Sequence, residues 1–119
     1  MAKACTFIGN RDLSLNEQWA LRPRLQQAIL NYLNAGGYFF ACGGSYGFDL
    51  VAAEEVLNFK QYYPYIQMIL LLPYPHYTSR WTMEDQQRLQ QVMQYSIYRS
   101  IQYLSLFLFC LSKRHLFRA

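Results

Sequence analysis

With 119 residues, 53% of them hydrophobic and 15% charged, the chain has the composition of one folded domain that buries a core of its own, and intrinsic disorder is excluded. Lys and Arg outnumber Asp and Glu by 11 to 7, and the net charge of +4 favours anionic ligands. The basic residues form no run, so nucleic acid is not the favoured partner; no apolar window spans a bilayer, and Lys3 stands before only a few apolar residues, unlike a secretory signal.

Three cysteines, Cys5, Cys42 and Cys110, are scattered through apolar runs. Their odd number and setting read as reduced core thiols, not as a disulfide framework or metal site. The chain is therefore expected in the cytoplasm, without a membrane partner or a metal.

In chain order, Ala4 to Ile8 reads as a buried first strand that opens at Gly9 into Asn10, Arg11 and Asp12. In an open α/β sheet the ends of the strands in this direction form the ligand edge. Arg11 is accordingly a candidate for phosphate or carboxylate, which a guanidinium meets with two donors at once; the alternative is a loop arginine paired with Asp12 or capping a helix. Ser14 and Glu17 form a capping box. Pro23 then predicts a short turn followed by a new helix with the proline in its first turn, in preference to one kinked helix. Leu21, Leu25, Ala28, Ile29, Tyr32 and Leu33 make one helical stripe, which Gly36 and Gly37 end.

The stretch from Tyr38 to Glu55 organises the rest. It reads as a strand (Tyr38 to Cys42), a turn holding Gly43, Gly44, Ser45 and Gly47, and a helix that opens near Phe48 and Asp49. Glycines here let a ligand approach the main chain, and the free N–H groups of such a turn and helix start suit an anion such as phosphate. The competing reading is a tight turn whose glycines serve geometry alone. Asp49 either favours the helix dipole and caps free N–H groups or touches the ligand. Glu54 and Glu55 point to different faces, one to solvent and the other to the pocket or an arginine.

Tyr65 to Leu72 is a third apolar strand, followed by a stiff loop, Pro73-Tyr74-Pro75-His76. His76 reads as a surface residue before a base. Trp81 either stacks on a ligand base or anchors the next helix, the commoner role. Thr82 and Asp85 suggest a second capping box ahead of a glutamine-rich helix with Leu89, Val92 and Met93 on one stripe. Each strand is followed by a helix-length segment. A parallel sheet of order 3-2-1-4 or a close variant follows, with the last strand the one that can break the pattern, and with the loops after Ile8, Cys42 and Leu72 at one edge.

The phrases TFIGNR, AGGYFFACGGSYGFDLVAAEEVL, YYPYIQMILLLPYP and SRWTMEDQQRL, in this order, resemble the YpsA/YoqJ group of the SLOG superfamily, Rossmann-like proteins related to DprA and the LOG phosphoribohydrolases. The resemblance covers roughly residues 4 to 92. It implies an α/β, Rossmann-like doubly wound parallel sheet in one domain over residues 1–119, binding or sensing a nucleotide or nucleotide-derived small molecule, such as a sugar phosphate, over the glycine turn. No other cofactor is implied. The family pattern falls on Gly9 and Arg11, on Gly43, Gly44, Gly47 and Asp49, on Glu54, and on Trp81. Asn10 stands where the group carries histidine, which keeps a hydrogen-bonding side chain but no titrating ring.

A second glycine motif of the superfamily is absent, and residues 93–119 depart from the family. The domain is thus expected to be incomplete at its C-terminus, the tail being either that of a frameshifted or truncated product or a divergent fourth strand from Ile101 to Leu111 with Lys113, Arg114 and Arg118 as a polar terminus. An incomplete sheet leaves an open edge, so a homo-oligomer is expected through Ile101 to Phe109. Two alternatives to ligand binding are hydrolysis of the N-glycosidic bond of a nucleoside monophosphate, as in LOG relatives, and single-stranded DNA binding, as in DprA. The first would need a carboxylate and an arginine acting with the missing glycine motif, so a binding domain without catalysis is preferred.

Overall fold

A computed structural model describes residues 4–72, 76–100 and 114–118. Its elements are β1 (Ala4–Ile8), α1 (Leu15–Asn34), β2 (Phe39–Gly43), α2 (Phe48–Lys60), β3 (Gln67–Leu72), α3 (Met83–Gln94), β4 (Ile97–Ser100) and β5 (Arg114–Arg118). The strands form one sheet in the order β4-β3-β2-β1-β5, and every pairing is parallel. From β1 to β4 each strand is laid beside the last in the same direction. Right-handed crossovers then put α1, α2 and α3 on one face. After these four, β5 pairs on the far side of β1, which is the reversal that creates a switch point in a Rossmann-like sheet. The fold is α/β and Rossmann-like.

Strand alternation explains the core. Cys5 and Phe7, Phe40 and Cys42, and Met68 and Leu70 point to the helical face, where they meet Leu25, Ile29 and Tyr32 of α1, Val51 and Val56 of α2, and Leu89 and Val92 of α3. Ala4, Ala41, Ile69 and Leu71 point the other way and are buried as well. Strands covered on both faces have to be apolar throughout, and these are. α2 is the central helix of the layer; Ala52 and Ala53 are fully buried, so its backbone lies close to its neighbours.

The winding 3-2-1 agrees with the sequence reading. The place beyond β1 is taken by β5, from residues read as a polar terminus, and β4 extends the opposite side beyond β3. The expected strand over Ile101 to Leu111, the association argued from it, Pro73 to Pro75 and Cys110 lie outside the described residues.

Helix α1 corrects one expectation. Its capping box is complete, with the Glu17 N–H donating to Ser14 Oγ at 3.1 Å and the Ser14 N–H to Glu17 Oε1 at 3.0 Å. Yet the helix does not restart at Pro23; it runs unbroken through it for 20 residues. Pro23 has no N–H for the Trp19 carbonyl, but both residues are exposed, so water can take that bond, while Leu25, Ile29, Tyr32 and Leu33 hold the helix to the sheet. Gly36, at φ 93°, makes the left-handed turn that ends it.

Candidate functional site at the carboxyl edge

Three loops meet where β1, β2 and β3 end. The first, after β1, is shaped by Asn10, whose Oδ1 accepts the Asp12 N–H at 3.0 Å, and by a Leu13 N–H donating to the Arg11 carbonyl at 3.0 Å. This loop docks backbone to backbone on the start of α2. Phe48 N–H donates to the Asn10 carbonyl at 3.3 Å, and Gly47, at φ 75°, lies against the Arg11 carbonyl where no Cβ would fit. Gly9 in turn leaves room for the ring of Phe48, which is fully buried. Gly9 and Gly47 are thus the two positions at which the loops interlock.

The docking sets Arg11 on the rim. Its guanidinium carbon stands 5.8 Å from the centre of the Tyr46 ring, in cation–π range, and among the described residues it makes no ion pair with Asp12. Tyr46 meets Trp81 edge-on at 5.4 Å, and Trp81 meets Tyr77 edge-on at the same separation. Trp81 therefore anchors the chain ahead of α3 and, by doing so, also brings its ring to the turn. Of the capping box expected on α3 one half is present, with Asp85 N–H donating to Thr82 Oγ1 at 3.2 Å; among the described residues the reciprocal bond from the Thr82 N–H to the Asp85 side chain is not made.

Inside the turn, the protein's own groups fill the space that the glycines leave. A Cβ on Gly43 would lie 2.5 Å from Asp49 Oδ2, and one on Gly44 would strike the Tyr77 hydroxyl and lie 2.8 Å from Leu72 Cδ2. Tyr77 donates its hydroxyl to the Gly44 carbonyl at 2.6 Å, and Ser45 N–H donates to Asp49 Oδ2 at 3.3 Å. A substitution such as Gly44→Val would accordingly disturb Tyr77 and Leu72 as well as any ligand. Burial pushes the Asp49 carboxyl up to about 6, against the opposing pull of the Ser45 N–H and the Arg11 charge. Tyr77 is pushed up to about 12, by burial first and then by Asp49. Burial, with smaller effects from Asp49 and Cys5, holds the Cys42 thiol well above its ordinary value.

Glu54 belongs elsewhere. It sits about one and a half turns further along α2, where Oε1 accepts Arg22 Nη2 at 3.0 Å and Arg88 Nη2 at 2.7 Å, and Oε2 accepts Arg88 Nε at 2.9 Å. Glu55, which was to point to a different face, joins the same cluster: it is only 3% exposed and accepts Arg22 Nη1 at 3.0 Å and Gln26 Nε2 at 3.2 Å. Arg88 also donates to Gln18 Oε1 at 3.1 Å. The cluster clasps α1, α2 and α3 together. Neither glutamate projects alone into solvent, and Glu54 is committed to two arginines instead of joining the residues of the turn.

Of the residues read from the sequence, Gly9, Asn10, Arg11, Gly43, Gly44, Ser45, Gly47, Asp49 and Trp81 come together at this edge, and Glu54 does not. Tyr46 and Tyr77 complete the group and had no distinguishing signal among 11 tyrosines. His76, beside Tyr77, is exposed and holds a left-handed φ of 61°. A recess of about 880 Å³ opens at the other end of α2 between Lys60, Gln61, Gln67, Gln91 and Tyr95. Its walls mix glutamine amides with apolar side chains and hold no acid, whereas the carboxyl edge gathers a cation, a partly buried acid and three aromatic rings. We therefore place the candidate site at the carboxyl edge. Among the described residues no set of His, Cys, Asp and Glu could hold a metal, and no helix is long and apolar enough to cross a membrane.

A parallel sheet with a glycine turn joining strand to helix at its carboxyl edge, flanked by the loop at the switch point, defines a Rossmann-like protein. A family model described as the YspA SLOG family (YpsA) matches residues 15–106, and the chain belongs to that family. The matched span takes in the glycine turn, Glu54 and Trp81, and begins after Gly9 to Arg11. Similar proteins include the UPF0398 protein of Halalkalibacterium halodurans, 28% identical over 62% of this chain and 39% of its own length. Others are a UPF0398 protein of Staphylococcus haemolyticus, 24% identical over 66% of this chain and 42% of its own, and one of Lactiplantibacillus plantarum, 31% identical over 56% and 37%. The match spans about two fifths of the length of these relatives.

Proposed function

We propose that the chain binds a nucleotide or nucleotide-derived small molecule at the carboxyl edge, with Arg11 facing the ligand's anionic group and Tyr46 and Trp81 offering ring surfaces to its base. The observation that carries this reading is the convergence of Arg11, Tyr46 and Trp81, from three separate loops, beside the switch point. A guanidinium supplies paired donors to phosphate, and aromatic rings suit the flat face of a base. Binding without turnover is the reading these contacts support best: Glu54 is committed to Arg22 and Arg88, and Asp49 Oδ2 is bonded within its own turn.

Calorimetry with AMP, ADP and ribose 5-phosphate tests it. Arg11→Ala removes charge-assisted hydrogen bonds worth about 1.5–3 kcal/mol, so affinity should fall by roughly 10- to 100-fold. Tyr46→Ala should weaken the two nucleotides and spare ribose 5-phosphate, which has no base to stack. Unchanged affinities in both variants would place the ligand elsewhere.

A further inference from the structure

The glycine turn already holds an anion of its own. Asp49 Oδ2 accepts the Ser45 N–H and occupies the space in front of Gly43, where the turn would otherwise present its backbone to a ligand. Among the described residues its other oxygen has no hydrogen-bond donor. Building on the ligand reading above, we propose that the Asp49 carboxylate competes with the ligand's anionic group, so that the site takes up the anion together with a proton from solvent.

The geometry leaves two negative groups to share one partly buried turn, and their repulsion is weakly screened there. Protonation removes it. A neutral carboxyl also gains an O–H that can donate to the incoming oxygen, so the same side chain passes from competitor to ligand contact. Three titratable or charged groups face Asp49: Arg11 from the loop after β1, Tyr77 from the turn before α3, and Cys42 from β2. Arg11 brings a guanidinium to the group. Tyr77, pushed up to about 12, and Cys42, held well above its ordinary value, keep their protons throughout the neutral range. Asp49, at about 6, is the member of this group that changes charge.

The test is calorimetric titration of the full chain with AMP between pH 5.5 and 8, for the wild type and Asp49→Asn. Apparent affinity scales with the protonated fraction, so the wild type should bind roughly fifty-fold more weakly at pH 8 than at pH 6, beyond any change shown by the variant. The phosphate of AMP itself titrates near 6. The Asn series carries that effect alone, and the difference between the two series isolates Asp49. As a check that does not depend on the variant, the Asp49 carboxyl ¹³C resonance of the wild type should titrate at higher pH when AMP is present at saturation. Parallel pH profiles for the two proteins, or a carboxyl resonance that AMP leaves in place, would overturn proton coupling while the ligand reading stands. An absence of binding by both proteins at every pH would overturn both.

Discussion

A carboxyl group that titrates at about 6 in the folded chain, against an ordinary value of 3.8, holds its proton more tightly folded than unfolded. Its contribution to stability is thus complete at low pH, declines as pH rises from the ordinary value to the folded one, and stays lost above. For Asp49 the loss amounts to about 2–3 kcal/mol. Asp49→Asn, which keeps an oxygen for the Ser45 N–H but no charge, should match the wild type near pH 4 and exceed it by about 2 kcal/mol at pH 7.5 in urea unfolding. An equal difference at the two pH values would mean that the charge is not what the fold resists. Glu54 runs the opposite way. Burial pushes its carboxyl up, but hydrogen bonds and charge from Arg88 and then Arg22 more than reverse this and leave it lowered, so its contribution is present at neutral pH and lost as pH falls through the lowered value. One helix therefore carries an acid held for position and another held for stability.

The clasp around Glu54 and Glu55 decides how the three helices sit on one another. Arg22 bonds both glutamates, and among the described residues Glu55 has only Gln26 besides. Arg22→Ala would strand a nearly buried carboxylate, so a loss of about 3 kcal/mol is expected in urea unfolding; a loss under about 1 kcal/mol would show that water replaces the guanidinium. The sequence offered an arginine to one of the two glutamates but did not say which arginine, because the partners lie 32 to 34 positions apart and no local period links them. What periodicity and punctuation do register, they registered well: the apolar strands, the stripe of α1 and the glycine junction before α2. Pro23 misled because its rule is local, while α1 is held by Leu25, Ile29 and Leu33 against the sheet. β4 escaped notice as a four-residue strand directly after a helix, and β5, reading Arg-His-Leu-Phe-Arg, looked like a solvated end. At the site, Asn10, Arg11 and the glycines were legible from their place at a strand end. Their interlocking through Gly9 and Gly47 was not, since it depends on which side chain and which carbonyl fill the spaces.

At the scale of the molecule, β1 is flanked by β2 and β5, both running in its own direction. Ala4 is level with Phe39 and Arg114 at the amino edge, and Ile8 is level with Arg118 at the carboxyl edge. A polypeptide fused after β5 would consequently emerge beside the loop that carries Arg11, and one fused ahead of β1 would leave from the opposite edge of the sheet. An affinity tag or fluorescent reporter is therefore not neutral in its placement. With the same bulky domain attached, the C-terminal fusion should bind AMP more weakly than the N-terminal fusion, because the added domain crowds the loop that carries Arg11. Equal binding by the two fusions would show that the mouth opens away from β5. Purification and labelling schemes for this protein are accordingly best built on the N-terminal side.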